Sequence, residues 1–233
     1  MHIKSNRLAV GIMSALCALS LSLKSKSAPA ANNVYQTWVS GVLNSKVPAI
    51  HSRVRGWFDF QVRRDDAGTQ LLARPAIGLT LARRLNLFAG YTSLASWNDG
   101  APDRYEHRFF TALWYKQPII PEQLTLISRT MVETRSVQGA SDTNARFRQL
   151  LRLTWVFQSP FSLFVFEEPF FHSNDTDWGG KAGFDQNRAG IGLGFKTVAG
   201  SRLEAAYMNM WVAKQGAPNS IRHTLFLTHF TVF

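Results

Sequence analysis

The chain closes on the stretch Arg222-His-Thr-Leu-Phe-Leu-Thr-His-Phe-Thr-Val-Phe233, in which polar and apolar residues largely alternate. Alternation with a period of two is typical of a strand with one polar and one apolar face. A last strand that ends on an aromatic residue is typical of β-barrels exported to bacterial outer membranes. Phe233 is therefore the predicted terminal barrel signal.

The first thirty residues have the pattern of a secretory signal peptide. Two basic residues precede the uncharged, mostly apolar stretch Leu8–Leu23. This stretch is shorter than the roughly 20 apolar residues of a transmembrane helix and fits the core of a signal peptide. The small residues Ala28 and Ala30 predict cleavage near Ala30. The predicted domains are a signal peptide over 1–30 and an outer-membrane β-barrel over 31–233.

The composition after cleavage limits how the protein is stabilised and what it binds. The net charge of the whole chain is +11, and four of its 26 basic residues but no acidic residue precede position 31, which leaves +7. The one cysteine, Cys17, lies in the predicted signal peptide, so no disulfide is available to the exported chain. Because the basic residues are dispersed along strands, we predict no nucleic-acid partner.

Period-two patterning predicts a series of strands of about 11–13 residues, longer than the ~5–6 of a typical soluble strand and suited to crossing a bilayer at a tilt. The candidates are 34–44, 52–63, 70–82, 85–96, 104–115, 123–135, 146–157, 161–172, 184–197, 201–212 and 222–233. Bacterial single-chain barrels have even strand numbers, so this odd count indicates one wrong assignment and a true number of 10 or 12, and 34–44 is the weakest candidate. No sequence repeat is evident. The predicted fold is all-β, a single antiparallel transmembrane β-barrel of about 10–12 strands.

Charged residues keep to one face of most predicted strands. In 123–135, for example, Arg129, Glu133 and Arg135 alternate with apolar and hydroxyl residues. An arginine facing lipid at the middle of a membrane costs about 2–4 kcal/mol, so these faces are expected to line the lumen. The predicted lumen charge network consists of Arg129, Glu133, Arg135, Arg148, Arg152, Glu168, Arg188 and Glu204.

Four motifs resemble those of the outer-membrane barrel family known as domain of unknown function 2490. They are Arg129-Thr-Met-Val-Glu133-Thr-Arg135, Arg146–Arg152, Glu168-Pro-Phe-Phe171 and Phe184-Asp-Gln-Asn-Arg188-Ala-Gly190. The sequence departs from the family pattern at Met131, where an arginine is common, and at Glu167, where the first acid of a D-E-x-F segment stands. The resemblance implies a barrel in the outer membrane of a Gram-negative bacterium, and it supplies no catalytic residues.

Three functions remain open from the sequence. The first is an outer-membrane barrel with a structural or interaction role, or a narrow passage that favours anions. The second is an outer-membrane enzyme that modifies lipids, and the third is a soluble periplasmic binder of lipocalin type. The expected partners are outer-membrane phospholipid and lipopolysaccharide and the barrel-assembly machinery, with no cofactor or metal and with the oligomeric state left open.

Catalysis has little support in the sequence, which favours a protein that is not an enzyme. A serine hydrolase needs a nucleophile, a histidine and an orienting group within reach of one another, and the best local candidate is His172 with Ser173 and Asp175. No nucleophile-elbow pattern is present, so no catalytic residue is predicted. Asn174, Asp175 and Asp177 resemble part of a calcium loop but lack its closing glutamate.

Overall fold

A computed structural model describes residues 32–198 and 200–232 of the chain. The predicted signal peptide over 1–30 and the terminal Phe233 lie outside these residues, so both stay predictions. Within the described part there is no helix long and apolar enough to span a membrane.

The described residues form eleven β-strands that follow the period-two pattern of the sequence. Their bounds are β1 Asn32–Lys46, β2 Val54–Asp65, β3 Gly68–Ala82, β4 Leu85–Asn98, β5 Arg104–Ile120, β6 Leu124–Val137, β7 Thr143–Gln158, β8 Phe161–His172, β9 Gly183–Lys196, β10 Ser201–Val212 and β11 Ser220–Val232. Every predicted strand segment coincides with one of them. The all-β class is therefore confirmed.

The strands close into one barrel in chain order. Each strand pairs with the next in antiparallel fashion, and β1 pairs with β11 in parallel, from Asn32 opposite Ser220 to Asn44 opposite Val232. Closure pairs both edge strands, so no edge is left open along this seam.

Two expectations from the sequence, an even strand number and an antiparallel arrangement throughout, are wrong at this seam. The strand number over the described residues is odd, because the weakest candidate, 34–44, is also a strand. With an odd number, the first and last strands point the same way, so the barrel is not antiparallel throughout. The parallel ladder satisfies the backbone groups of both strands with evenly spaced hydrogen bonds, which makes an even count unnecessary.

Most connections are shorter at one end of the barrel than at the other, the exceptions being the seven-residue loop over 47–53 and the two-residue turn over 66–67. At the end where β11 finishes, β3 joins β4 through Arg83–Arg84, and β7 joins β8 through Ser159–Pro160. At the opposite end, the loops over 138–142, 173–182 and 213–219 are longer. The N-terminal end of β1 lies with these longer loops because it pairs with the start of β11.

The barrel wall has its charged side chains inside and most of its large apolar side chains outside. In β7, Arg146 and Arg148 are buried, whereas Phe147 and Leu151 are exposed. Exposed apolar side chains of this kind occur on every strand, among them Val39, Phe60, Ile77, Phe109, Val132, Leu193, Leu203 and Leu227. This arrangement is the reverse of that in a soluble globular domain.

The interior is not uniformly charged. Trp57, Phe88, Phe110, Ala112 and Met131 form a buried apolar cluster. The glycines of neighbouring strands make room for these rings: a Cβ on Gly78 would lie 2.5 Å from Phe88, and one on Gly90 would lie 2.6 Å from Phe110. The interior is thus filled by both aromatic and ion-paired side chains.

Candidate functional site

Glu133 is the centre of the interior charge network. Its side chain is fully buried, at 0% exposure. Arg146 donates to Glu133 Oε2 from Nη2 at 2.6 Å, and Arg148 donates to Glu133 Oε1 from Nη1 at 2.9 Å. One carboxylate therefore holds two guanidinium groups that project from β7.

Glu168 extends this arrangement along the wall. Arg148 donates to Glu168 Oε1 at 2.8 Å, so it bridges Glu133 and Glu168. Arg129 donates to the same Oε1 at 2.6 Å, and Arg188 lies 3.8 Å from Oε2. Buried charges are stable only when they are paired and hydrogen-bonded in this way.

A second group of ion pairs lies nearer the longer loops. Glu106 accepts hydrogen bonds from Arg108 at 2.8 Å and from Arg135 at 2.6 Å. Arg135 also contacts the ring of His172, with Nη1 3.2 Å from Nε2, and His172 Nε2 lies 3.0 Å from Asp185 Oδ2. The chain of contacts thus continues from β5 through β6 to β8 and β9.

The longest span in the network joins β7 to β10. Arg152 donates to both carboxylate oxygens of Glu204, at 2.9 and 2.5 Å, and Arg202 reaches Glu204 Oε1 at 2.6 Å. β8 and β9 lie between these strands in the wall. A two-pronged arginine–carboxylate contact fixes orientation as well as charge, so this pair ties non-adjacent strands across the interior.

Aromatic rings pack against several of the interior guanidinium groups. Arg63 lies 4.0 Å and Arg188 lies 5.2 Å from the ring centre of Trp38. The ring of Phe170 is similarly approached by Arg148 and Arg188, both at 4.5 Å. Stacking on an aromatic face stabilises a desolvated cation, which offsets the excess of arginine over acid in the interior.

Comparison with known proteins identifies the family of this chain. The family model described as "Protein of unknown function (DUF2490)" matches residues 35–221. The chain belongs to this family. An uncharacterized protein of Methylorubrum extorquens (strain AM1) is 28% identical over 227 residues, which are 94% of this chain and 96% of that protein. A solved chain titled "NanC porin structure in rhombohedral crystal form" is 11% identical, with a TM-score of 0.48 over 79% of this chain and 93% of that chain.

All eight residues of the predicted network in this DUF2490 protein point to the interior, and the structure brings each into an ion pair with another member or with an additional charged residue. These additional partners are Glu106, Arg146 and Arg202. Further interior ion pairs lie outside the predicted set and join Arg108 to Glu106, Asp185 to Arg146, and Asp59 to Arg74. The alternation of charged and apolar residues in the sequence also indicates the interior face of β2. Asp59 and Arg63 alternate with Phe58, Phe60 and Val62 in β2, the same pattern that identified the charged face of β6. The role of the network stays a prediction.

Hydrogen bonds join two of the longer loops, those over 138–142 and 173–182, at the mouth of the barrel. Asp177 Oδ2 accepts from the backbone N–H of Ser141 at 2.9 Å, and Asp142 Oδ2 accepts from the backbone N–H of Asp177 at 2.8 Å. Trp178 donates from Nε1 to the carbonyl oxygen of Asp142 at 2.9 Å. Its ring lies 5.0 Å from the guanidinium of Arg135, so it covers part of the charge network from above.

The candidate hydrolytic cluster His172–Ser173–Asp175 is not assembled. His172 faces the interior, while the Ser173 hydroxyl donates to Asn174. Asp175 accepts from the backbone N–H of Ala182 and from the Lys181 ammonium, and these contacts hold the pKa of this exposed carboxyl below its usual range. Over the described residues, no group of three or more His, Cys, Asp or Glu side chains is placed to hold a metal ion.

Two tyrosine–histidine pairs on the outer face were missed in the sequence. Tyr91 bonds to His107 Nδ1, and Tyr207 bonds to His223 Nδ1 at 2.6 Å. The partners are sixteen residues apart in both pairs. The rings also stack similarly, with centroids 5.9 and 6.1 Å apart and interplanar angles of 20° and 27°.

These pairs belong to two matching hairpins, β4–β5 and β10–β11. Both hairpins carry a Gly-Ala-Pro loop whose glycine has positive φ, 81° at Gly100 and 74° at Gly216. In both loops, a backbone N–H bonds to the side chain that follows proline, Asp103 in one and Asn219 in the other. Because the matching residues are spread over 17 positions, from Tyr91 to His107 and from Tyr207 to His223, pattern reading by strand overlooks them.

Proposed function

We propose that the protein is an integral outer-membrane β-barrel with an ion-paired, filled interior, and that it acts through its wall and loops. The observation that carries this proposal is the orientation of the wall, with Arg and Glu inside and large apolar side chains outside. Only a hydrocarbon environment favours such an outer surface, and a closed barrel satisfies every backbone group within it. A soluble barrel of lipocalin type needs the opposite orientation.

The filled interior argues against bulk flow. Ion pairs join β7 with β10 and β6 with β8 across the interior, and aromatic rings occupy the space near the shorter turns. Barrels with aqueous channels typically have 16–18 strands, more than the eleven in the described part of this chain. The network therefore serves as a structural plug that fixes the cross-section of the barrel.

A narrow passage for anions is the second candidate. Arginines outnumber acids in the interior, and Arg63 forms no ion pair among the described residues. Any solute that crosses would meet a positive potential, which favours anions. For such a passage to open, some of the ion pairs that fill the interior must separate.

Electrophoretic mobility and conductance test the two candidates together. We expect the unboiled protein, extracted from membranes in mild detergent, to migrate faster than the boiled protein because the closed barrel resists detergent. Reconstituted into planar bilayers, the same sample should give no stable current steps, while a known porin recorded in the same bilayers should give clear steps. Recovery with the soluble periplasm would overturn the membrane proposal, and anion-selective steps would favour the passage.

The outer-face tyrosine–histidine pairs are the remaining place where lipid chemistry could occur. His223 Nε2 lies 3.2 Å from Asn33 Oδ1, which extends one pair to a third residue. The matching hairpin carries an equivalent pair, Tyr91–His107, which favours a role shared by the two hairpins over a single reactive centre. We assign both pairs a structural role, in which each joins two neighbouring strands on the outer wall; identical outer-membrane lipid profiles with and without the protein are the expected result.

A further inference from the structure

We propose that the outer face of β6–β9 is an interface through which two copies of this chain associate in the membrane. The inference rests on the proposed membrane location. Its basis is a group of polar side chains on the outer wall, here named the outer polar patch. The patch consists of Ser128, Thr130, Gln149, Glu167 and Asn187.

Strand alternation places the patch outside the barrel. Thr130 follows the interior Arg129, Gln149 follows the interior Arg148, and Glu167 precedes the interior Glu168. Successive side chains in a strand point to opposite faces, so each patch residue faces away from the charge network. All five patch side chains are half-buried among their outer-face neighbours.

Hydrogen bonds join the patch residues in two groups. Thr130 donates to Gln149 Oε1 at 2.6 Å, and Gln149 Nε2 donates to Ser128 at 2.9 Å. Asn187 Nδ2 donates to Glu167 Oε1 at 3.0 Å. Within the described part of the chain, no Lys, Arg or His forms an ion pair with Glu167. The Glu167 carboxylate is therefore left with one neutral donor.

The position of the patch makes this exposure unfavourable in lipid. Thr130, Gln149, Glu167 and Asn187 each lie close to the middle of their strands, where the hydrocarbon is farthest from water. The opposite wall differs at comparable depth, where β2 presents the exposed apolar residues Phe58, Phe60 and Val62. Lipid tails offer no hydrogen bonds, so an outward carboxylate at this depth needs a polar partner.

A second copy of the chain supplies that partner. The patch contains acceptors, at the Glu167 carboxylate, and a donor, at the second amide hydrogen of Asn187, whose first goes to Glu167, so it complements itself. A two-fold axis through the patch brings the carboxylate of each copy towards the Asn187 amide of the other, as in an isologous dimer. Polar groups that bond across an interface stabilise association in membranes. Exposed apolar neighbours such as Val132 and Ile191 provide the surrounding contact.

The chain offers a matched pair of positions for crosslinking. Ile191 in β9 and Ile77 in β3 are exposed outer-face isoleucines, at 48% and 56%, on strands five positions apart around the barrel, the largest separation that eleven strands allow. In a Cys17→Ser background, Ile191→Cys and Ile77→Cys each introduce the sole thiol. A short homobifunctional maleimide added to intact outer membranes should give a band of twice the monomer mass from Ile191→Cys and little from Ile77→Cys.

Removal of the patch provides the second measurement. Glu167→Ala with Asn187→Ala, in the Ile191→Cys background, should lower the association constant of the dimer roughly tenfold. A hydrogen bond between chains in a membrane changes an association constant about threefold, and each such bond occurs twice in a two-fold interface. Glu167→Gln, which keeps an acceptor, should retain most of the crosslinking. The heat-dependent gel shift shows separately that each variant is a folded membrane barrel.

The outcomes distinguish the dimer from its alternatives. Equal crosslinking from Ile191→Cys and Ile77→Cys, or monomers alone in a folded membrane sample, would overturn the proposal while leaving the barrel intact. A crosslinked band of another mass would assign the patch to a different protein and would also overturn it. Absence of the gel shift would show instead that the membrane proposal itself had failed.

Discussion

Glu133→Ala is expected to lower the free energy of unfolding by roughly 3–5 kcal/mol, the cost of removing one half of a buried ion pair. Glu133 is fully buried and accepts from both Arg146 and Arg148. After the change, Arg148 keeps Glu168, but Arg146 keeps only Asp185 at 3.5 Å. The two arginines then lose the opposing charge and the hydrogen bonds of Glu133, while they stay buried and gain no contact with water. Urea titration of the barrel in detergent, followed by tryptophan fluorescence, measures the loss.

Two control variants separate the causes of that loss. Glu133→Gln keeps the volume of the side chain and removes its charge, so it should retain most of the destabilisation. Asp99→Ala removes the carboxylate of a surface ion pair, in which the side chains of Asp99 and Arg64 are 62% and 58% exposed. This change should lower the free energy of unfolding by less than about 1 kcal/mol. Equal urea midpoints for Glu133→Ala and Asp99→Ala would mean that water reaches the interior. The proposal that the charge network fills the barrel would then be wrong.

The strands were predictable because each has one charged or small face and one apolar face. Segment 144–155 also fits a helical spacing, yet Arg146, Arg148 and Arg152 alternate with Phe147, Leu151 and Leu153, and the structure makes it part of β7. Local alternation of this kind needs no knowledge of partners. It therefore gave the position of every strand.

Closure could not be predicted in the same way. Whether β1 pairs with β11 depends on contacts between residues almost two hundred positions apart, such as Ser40 with Thr228, whose hydroxyls are 2.7 Å apart. No local pattern in 34–44 reports that pairing. The even-strand rule filled this gap and gave the wrong answer.

The interior network was predictable by face but not by partner. Alternation identified Glu204 and Arg152 as interior residues, whereas their contact across two intervening strands depends on barrel curvature.

The outer polar patch was overlooked for a related reason. Glu167 was noticed as a departure from the family pattern, but its relation to Gln149 and Asn187 exists only once β7, β8 and β9 are in register.

Leu227→Arg tests the proposed lipid environment of the outer wall most directly. Leu227 lies near the middle of β11, is 51% exposed, and has the apolar cross-strand neighbours Val39 and Ala205. An arginine facing lipid at the midplane of a barrel costs about 2–4 kcal/mol. We therefore expect a loss of this size in the unfolding free energy of the protein in lipid vesicles, measured by denaturant titration.

Leu81→Arg is the matched control because it makes the same change at a different depth. Leu81 is 49% exposed, close to the value for Leu227, but it lies at the end of β3 beside Arg83 and Arg84. Near an interface the cost falls to about 0–1 kcal/mol, since a long side chain reaches the headgroups. Equal and small effects at both sites would mean that the outer wall meets water, because only a hydrocarbon layer makes the cost depend on distance from the ends of the barrel.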